Sequence, residues 1–255
     1  MIKNIVPKLL ITVNTVRGIS PNTFMSFMSL ERLIAHEKIA LDIDYKVYSN
    51  DSLLPRARNL AISVFLDGDY DYYMTIDDDI DFPPESIPML ISSNRDIVCA
   101  LYPMRSHDFP LYSVRVKIDK KSASEFNINI IDGRFIELDY ASTGFLLVNR
   151  HVIEVMSNAY ADEAYEESLP ERFGKQTCNL YNPIVVAHPN GKKEYLSEDW
   201  AFCERASRLG FKIWGDLTVA LGHSGTVNIN GAKGDDLAKA LIKQSRSVFN
   251  RYHQE

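Results

Sequence analysis

The stretch that most constrains this chain is Tyr72-Tyr73-Met74-Thr75-Ile76-Asp77-Asp78-Asp79-Ile80-Asp81-Phe82-Pro83-Pro84. An apolar, aromatic-rich run of this kind reads as a buried strand, and here it ends in three adjacent carboxylates. Pro83 and Pro84 stop the strand and can open the next helix. Three like charges side by side repel one another, so the fold must supply something to offset them. A hard divalent cation carrying a nucleotide phosphate is one solution. An acidic turn whose Asp residues cap a helix is the other.

The 255 residues suffice for one sizeable domain, and 45% apolar with 24% charged residues is ordinary for a globular chain. A formal net charge of −6 argues against a general nucleic-acid binder. No run of about 18 apolar residues occurs, so no membrane span is expected. The first seven residues are too short and broken for a secretion signal. Cys99, Cys178 and Cys203 are too far apart for a metal knuckle or redox pair. Cys99 and Cys203 read as buried thiols, and a reducing cytoplasm is the expected location.

In chain order, residues 8–14 form a first strand, and Ser20-Pro21 starts a helix whose apolar stripe runs to about residue 40. Residues 41–48 alternate as a strand with one wetter face. Strand, helix and strand in this spacing predict a βαβ unit and a parallel sheet. A polar turn, Ser49-Asn50-Asp51-Ser52, follows at a strand's carboxyl end, where open α/β sheets bind ligands. The next helix, 54–66, carries Arg56, Arg58 and Asn59 early. Two positions apart, the arginines cannot share a face, so at most one points into a site. Each can pair with phosphate or the acidic strand end, or make a solvated ion pair with a nearby Asp.

Residues 96–102 read as another buried strand. The pattern then becomes α+β, with an alternating run over 112–118 and a hairpin over 126–140 turning at Asp132-Gly133. In 141–148 a glycine precedes an apolar strand. Gly144 either lets a ligand approach the backbone or relieves a tight bend. Residues 152–160 look helical, whereas 161–195 show little periodicity and read as a lid or a surface loop. Glu198 and Asp199 open a helix ending at Gly210, where they either favour the helix dipole or hold a carboxylate toward a cleft. Short strands at 211–214 and 217–221 lead to Gly222-His223, and an amphipathic helix over 235–252 closes the chain.

Four pieces thus stand in order: Ala57-Arg58-Asn59, Asp77-Asp78-Asp79, Glu198-Asp199 followed by Arg205, and Gly222-His223. In this order the chain resembles nucleotide-sugar glycosyltransferases of the GT-A fold, family-2-like, especially compact bacterial and viral-type members. The resemblance spans residues 9 to about 226. It implies a single α/β domain with a Rossmann-like, mostly parallel central sheet flanked by helices and an antiparallel acceptor-side portion. Residues 1–102 would be the nucleotide-binding half, 103–226 the acceptor-side half and 227–255 the C-terminal helix.

The resemblance also implies roles. Asp77 matches the carboxylate that approaches the ribose, with a share in the metal site, and Asp79 the one that binds the metal. His223 matches the late histidine completing that site, although a loop histidine bonded to backbone is the bland alternative. The cofactor would be Mn²⁺ or Mg²⁺, an imidazole tilting the choice toward Mn²⁺. Arg58 and Asp78 fall with the nucleotide-sugar residues, as do Thr12, Asn14, Asn50, Asp51 and Gly144. Asp199 resembles the base of inverting members, which takes the acceptor hydroxyl's proton, and Glu198 can hold that role instead. Trp200 and Tyr140 are candidates for the acceptor face, with core filling the alternative for Trp200.

The implied partners are a nucleoside-diphosphate sugar, UDP being the commonest carrier, and a glycan or other hydroxyl acceptor, with no nucleic acid. The chain departs from the resembled pattern after the second strand, where it has Asn50-Asp51-Ser52-Leu53-Leu54, so the base stays open. Retaining chemistry stays open too. Two other readings stand beside this one: a nucleotidyltransferase, which the lone Gly18 after the first strand disfavours, and a sugar-nucleotide-binding module without turnover.

Overall fold

The computed structural model describes residues 6–49, 51–105, 111–120, 126–168, 174–188, 190–225 and 229–253. The first half alternates β1 (Lys8–Thr15), α1 (Pro21–Glu37), β2 (Asp42–Ser49), α2 (Leu54–Asp67), β3 (Tyr72–Asp77), β4 (Ile80–Asp81), α3 (Ser86–Ser92) and β5 (Ile97–Ala100). The second half holds β6 (Arg115–Val116), β7 (Ile118–Lys120), β8 (Phe126–Ile128), β9 (Ile130–Ile131), β10 (Phe135–Tyr140), β11 (Phe145–Asn149) and α4 (Arg150–Ala159). It continues with β12 (Tyr165–Glu166), β13 (Gln176–Thr177), β14 (Ile184–Ala187), β15 (Lys193–Leu196) and α5 (Glu198–Arg208). It ends with β16 (Ile213–Asp216), β17 (Gly222–His223), β18 (Ile229–Asn230) and α6 (Gly234–His253).

The central sheet runs β2-β1-β3-β11-β5-β16-β10-β6, with β9 also on β10. β1 is parallel to β2 and β3, and β5 is parallel to β16. β11 lies antiparallel between β3 and β5, and β10 is antiparallel to β16, β6 and β9. Only β10 and β11 therefore run against the common direction. This is the α/β architecture expected from the sequence, a mostly parallel central sheet flanked by helices, with its antiparallel portion in the second half.

Alternation along the strands feeds two cores. Leu9, Ile11 and Val13 point to one with Phe27 and Leu30 of α1, while Leu10 points to the other with Phe65 of α2 and Phe202 of α5. α1 begins as its sequence dictates. Ser20 accepts a hydrogen bond from the Thr23 amide at 3.2 Å, with Pro21 in the first turn. The Asp132-Gly133 turn has φ of 55° and 62°, the positive pair a tight hairpin needs.

Three expectations change. Residues 217–221 form a buried loop rather than a strand, because Asp216 Oδ1 accepts from both the Thr218 amide and hydroxyl and turns the chain. The run over 112–118 breaks between β6 and β7, where the Lys117 amide bonds the Glu137 carbonyl. The described part of 161–195 is a packed segment with two small hairpins, β12–β13 and β14–β15. Leu180 and Tyr181 are fully buried. Arg205 Nη1 donates to the Leu180 and Asn182 carbonyls at 3.3 and 2.8 Å, and Asn59 Oδ1 accepts from the Tyr181 amide at 2.9 Å. Backbone-directed hydrogen bonds of this kind hold an aperiodic segment without a repeating apolar pattern. The last helix packs as expected, with Leu237 and Leu241 fully buried.

Candidate active site

Parallel register places the carboxyl ends of β1 and β3 side by side, with Asn14 opposite Asp77. Against this edge comes Arg58 of α2, only 3% exposed along its side chain. Its guanidinium donates from Nη2 to Asp77 Oδ1 at 3.1 Å and from Nη1 to Glu198 Oε1 at 2.9 Å. Burial opposes the charge on Arg58, but the Asp77 and Glu198 carboxylates outweigh it and raise its pKa. One arginine therefore ties the acidic strand end to the first turn of α5. Arg56 turns away, giving Asp51 two hydrogen bonds of 2.9 Å. One of the two arginines points into the site, as their spacing requires.

Asp77 is confined on its other side. The Asp77 amide donates to the Gly144 carbonyl at 2.9 Å, and a Cβ on Gly144 would sit 2.3 Å from both Asp77 Oδ2 and the Tyr102 hydroxyl. The space this glycine leaves is occupied by those two groups. Tyr102 also hydrogen-bonds Ser142 and meets the His223 ring edge-on, with centroids 5.4 Å apart.

Asp78 is half-buried, and its backbone carbonyl accepts from the Ser20 amide at 2.7 Å. Burial raises its carboxyl pKa, a hydrogen bond from Thr15 pulls it down, and the neighbouring Asp79 and Asp77 add to the rise.

The short strand β4 lets the chain reach His223. β4 pairs antiparallel with β17, with His223 opposite Ile80, and the Ser224 amide bonds the Asp79 carbonyl at 2.7 Å. His223 Nε2 lies 3.4 Å from Asp79 Oδ1, and Nδ1 is 2.8 Å from the Pro103 carbonyl. A carbonyl can only accept, so Nδ1 carries the proton and Nε2 faces the carboxylate. The other Asp79 oxygen is held by Arg105, whose Nη2 also donates to the Ser224 carbonyl at 3.0 Å.

Among the described residues no group of three His, Cys, Asp or Glu side chains could hold a metal ion. Asp79 and His223 offer one hard oxygen and one oriented imidazole nitrogen. Such a pair holds Mg²⁺ or Mn²⁺ when substrate phosphate and water complete the shell. Asp77, expected to share the metal, has Oδ1 committed to Arg58.

Asp199 occupies the first turn of α5 near these groups. Its Oδ1 accepts from the Trp200 amide at 2.8 Å and from the Ser197 hydroxyl, while Oδ2 makes no hydrogen bond among the described residues. Glu198, the alternative base, is the partner of Arg58. Trp200 stacks on Tyr140, with centroids 5.1 Å apart and planes 20° apart. The Arg115 guanidinium lies 4.9 and 4.8 Å from the two ring centroids and bonds Glu194. Tyr140 is buried in this stack and Trp200 is partly exposed, so the pair is neither plain core nor a bare aromatic face.

Of the remaining sequence candidates, Thr12 is fully buried and gives its hydroxyl to Tyr73 and the Met74 carbonyl at 3.2 and 3.3 Å. It is enclosed in the sheet, one residue short of the open edge. Both side-chain polar atoms of Asn14 are buried without a hydrogen-bond partner among the described residues. Asn50 lies outside the described residues. Ser142 lies in the Tyr140–Gly144 turn, a candidate for the acceptor face, whereas Arg105 and Tyr102 carry no sequence signal of their own. Arg105 and Tyr102 do follow the buried strand β5, so the strand-end rule that marked Asp51 and Asp77 applies to them too.

No family model and no curated protein matches the chain. Among solved structures, A197 from STIV is 16% identical, covers 86% of each chain and has a TM-score of 0.47. TarS 1-349 of S. aureus, in complex with UDP-GlcNAc, is 11% identical over 82% of this chain and 55% of its own, with a TM-score of 0.41. The inositol-1-phosphate CTP transferase from T. maritima is 11% identical over 96% and 97%, with a TM-score of 0.38. Likeness this distant leaves the substrate to be argued from the site. No helix among the described residues is long and apolar enough to cross a membrane.

Proposed function

We propose that the protein is a metal-dependent glycosyltransferase. In this reading it moves a sugar from a nucleoside-diphosphate sugar, with UDP as carrier, to a hydroxyl acceptor, with inversion. The observation that carries the reading is the double ion pair of Arg58, which fixes Asp77 relative to the α5 turn bearing Asp199. This supports a reading in which a donor-side carboxylate and the free oxygen of Asp199 act together.

An acceptor hydroxyl is a poor nucleophile until a carboxylate takes its proton in the transition state. Asp199 fits this task better than Glu198, because Arg58 already neutralises Glu198. The hydrogen bonds from Ser197 and the Trp200 amide fix Asp199 Oδ1 and leave Oδ2 to act. Asn14 offers the donor and acceptor pair that reads a base edge, and the Tyr140–Trp200 plate suits the face of an acceptor sugar. Asp79 and His223 would hold Mn²⁺ or Mg²⁺, which when bound offsets diphosphate charge. The pKa of His223 is shifted by burial, which lowers it, and by Asp79 and the Pro103 carbonyl, which raise it more.

The test is a thermal-shift panel of nucleoside diphosphates, nucleoside triphosphates and sugar nucleotides, each with and without Mn²⁺, followed by donor hydrolysis. A ligand that binds the native state raises the melting point by mass action. We expect a metal-dependent shift for one diphosphate and its sugar nucleotide, with slow hydrolysis of the latter. Asp199→Asn should keep the shift and lose transfer. A shift for triphosphates alone would point to nucleotidyl transfer, binding without any turnover to a binding module, and no shift to another ligand class.

A further inference from the structure

We propose that β2 is the contact surface of a two-fold homodimer, pairing antiparallel with β2 of a second copy in the register centred on Tyr45. The strand stands at the end of the central sheet, and among the described residues its outer edge has no partner strand. It is eight residues long, and six of them are exposed. A long, flat, open edge is a template for pairing with another chain. Native proteins usually shorten, bulge or cover such an edge, and this one pairs residue for residue with β1 along its whole length.

The sequence of the strand selects a second copy as the occupant. A two-fold axis normal to the sheet keeps each side chain on its own face, so the register must centre on a residue. Centred on Tyr45, Asp44 faces Lys46 of the second copy and Lys46 faces its Asp44, while Ile43 and Val47 face one another twice. Every charge on the overlapping face then meets either its opposite or, for Asp42, Tyr48. Moving the centre to Asp44 sets Asp44 against itself, and moving it to Lys46 sets Lys46 against itself. Centring on Ile43 opposes Asp42 to Asp44 twice. Like charges directly opposed are destabilising and opposite charges stabilising, so one register is favoured.

The apolar face beside the strand extends the same surface. Tyr45 packs edge-on against Phe27 of α1, with centroids 5.5 Å apart, and its hydroxyl donates to Glu31 at 2.5 Å. On the same helix Phe24, Met25 and Met28 are 52, 59 and 50% exposed, and Val47 is 52% exposed. Exposed apolar side chains grouped on a helix next to an open edge mark an interaction surface rather than scattered solvent contacts. In the dimer the two central sheets join through β2.

The experiment measures mass by light scattering across a dilution series for the full chain, Asp44→Lys, Lys46→Asp and an equimolar mixture of the two variants. The parent should have twice the chain mass at high concentration, and each variant the mass of one chain. The mixture should return to twice the chain mass, because it brings opposite charges together at both positions. That recovery also shows that neither variant lost its dimer through misfolding. A parent that stays monomeric throughout overturns the proposal. So do a dimer indifferent to both substitutions, which lies on another face, and a mixture that fails to associate.

Discussion

Arg58→Met is the sharpest test of how the site is held. The substitution keeps a stem of similar length beneath Tyr181, whose ring centroid is 5.8 Å from the Arg58 guanidinium carbon. It removes two charge-assisted hydrogen bonds and leaves Asp77 and Glu198 without their shared cation. Such bonds contribute about 1.5–3 kcal/mol each, and breaking a buried pair from one side costs about 3–5 kcal/mol. The carboxylates are 31% and 20% exposed, so water recovers part of their solvation and the lower end, about 3 kcal/mol, is expected. For a chain of this size that is a fall of roughly 6–12 °C in melting temperature. Urea unfolding of Arg58→Met, Glu198→Gln and the double variant supplies the second measurement. The double variant should be more stable than Arg58→Met, because the amide no longer needs the missing cation. Strict additivity of the two single changes, or a melting point within about 2 °C of the parent, would refute the reasoning that Arg58 is the clamp of the site.

Other expected outcomes bear on separate contacts. Arg105→Gln frees the second Asp79 oxygen, so Mn²⁺ should bind the nucleotide-free protein more tightly in calorimetry; equal or weaker binding would show that Arg105 does not compete there. Gly144→Ala should cost about 1–3 kcal/mol in urea unfolding, because a Cβ must displace Asp77 or Tyr102, and an unchanged midpoint would contradict the close approach. Burial raises the Asp139 carboxyl pKa more than Lys117 and Arg115 lower it. The native state then holds a proton that the unfolded chain has lost, so stability falls as pH rises from the ordinary carboxylate value through the raised one. Asp139→Asn should therefore gain stability relative to the parent across that window and keep the gain at neutral pH. Parallel melting-temperature profiles would remove Asp139 from the account.

The strand ends were legible from sequence because alternation and caps are local signals. The βαβ start, the acidic end of β3 and the inward turn of a single arginine all follow from spacing along one element. What the spacing could not give was depth and partnership across elements. Thr12 and Asn14 lie two residues apart on one strand, yet Thr12 is sealed beneath Tyr73 while Asn14 reaches the edge beside Asp77. Only the register of β1 against β3 separates them. Asp51, just past the carboxyl end of β2, is paired with Arg56, five residues on, whose hydrogen bonds hold its carboxyl pKa down. The contact of His223 with Asp79 depends on the two-residue pairing of β4 with β17, too short to leave any period in the sequence.

The packed segment after α4 was opaque for a related reason, and it bears on how the site works. Its order comes from Asn59 and Arg205, two side chains that spend their hydrogen bonds on another segment's backbone. Asn59 follows Arg58 on α2, and Arg205 lies two turns beyond Glu198 on α5. The helices that carry the two sides of the Arg58–Glu198 clamp are therefore also the ones that fasten Leu180–Asn182 over the core. A ligand that draws Asp77 away from Arg58 would act on α2 and α5 together, and through Asn59 and Arg205 on the segment between them. The Arg58–Glu198 clamp and the segment over the core thus rest on the same two helices, which is why residues without apolar periodicity are nevertheless held against the core.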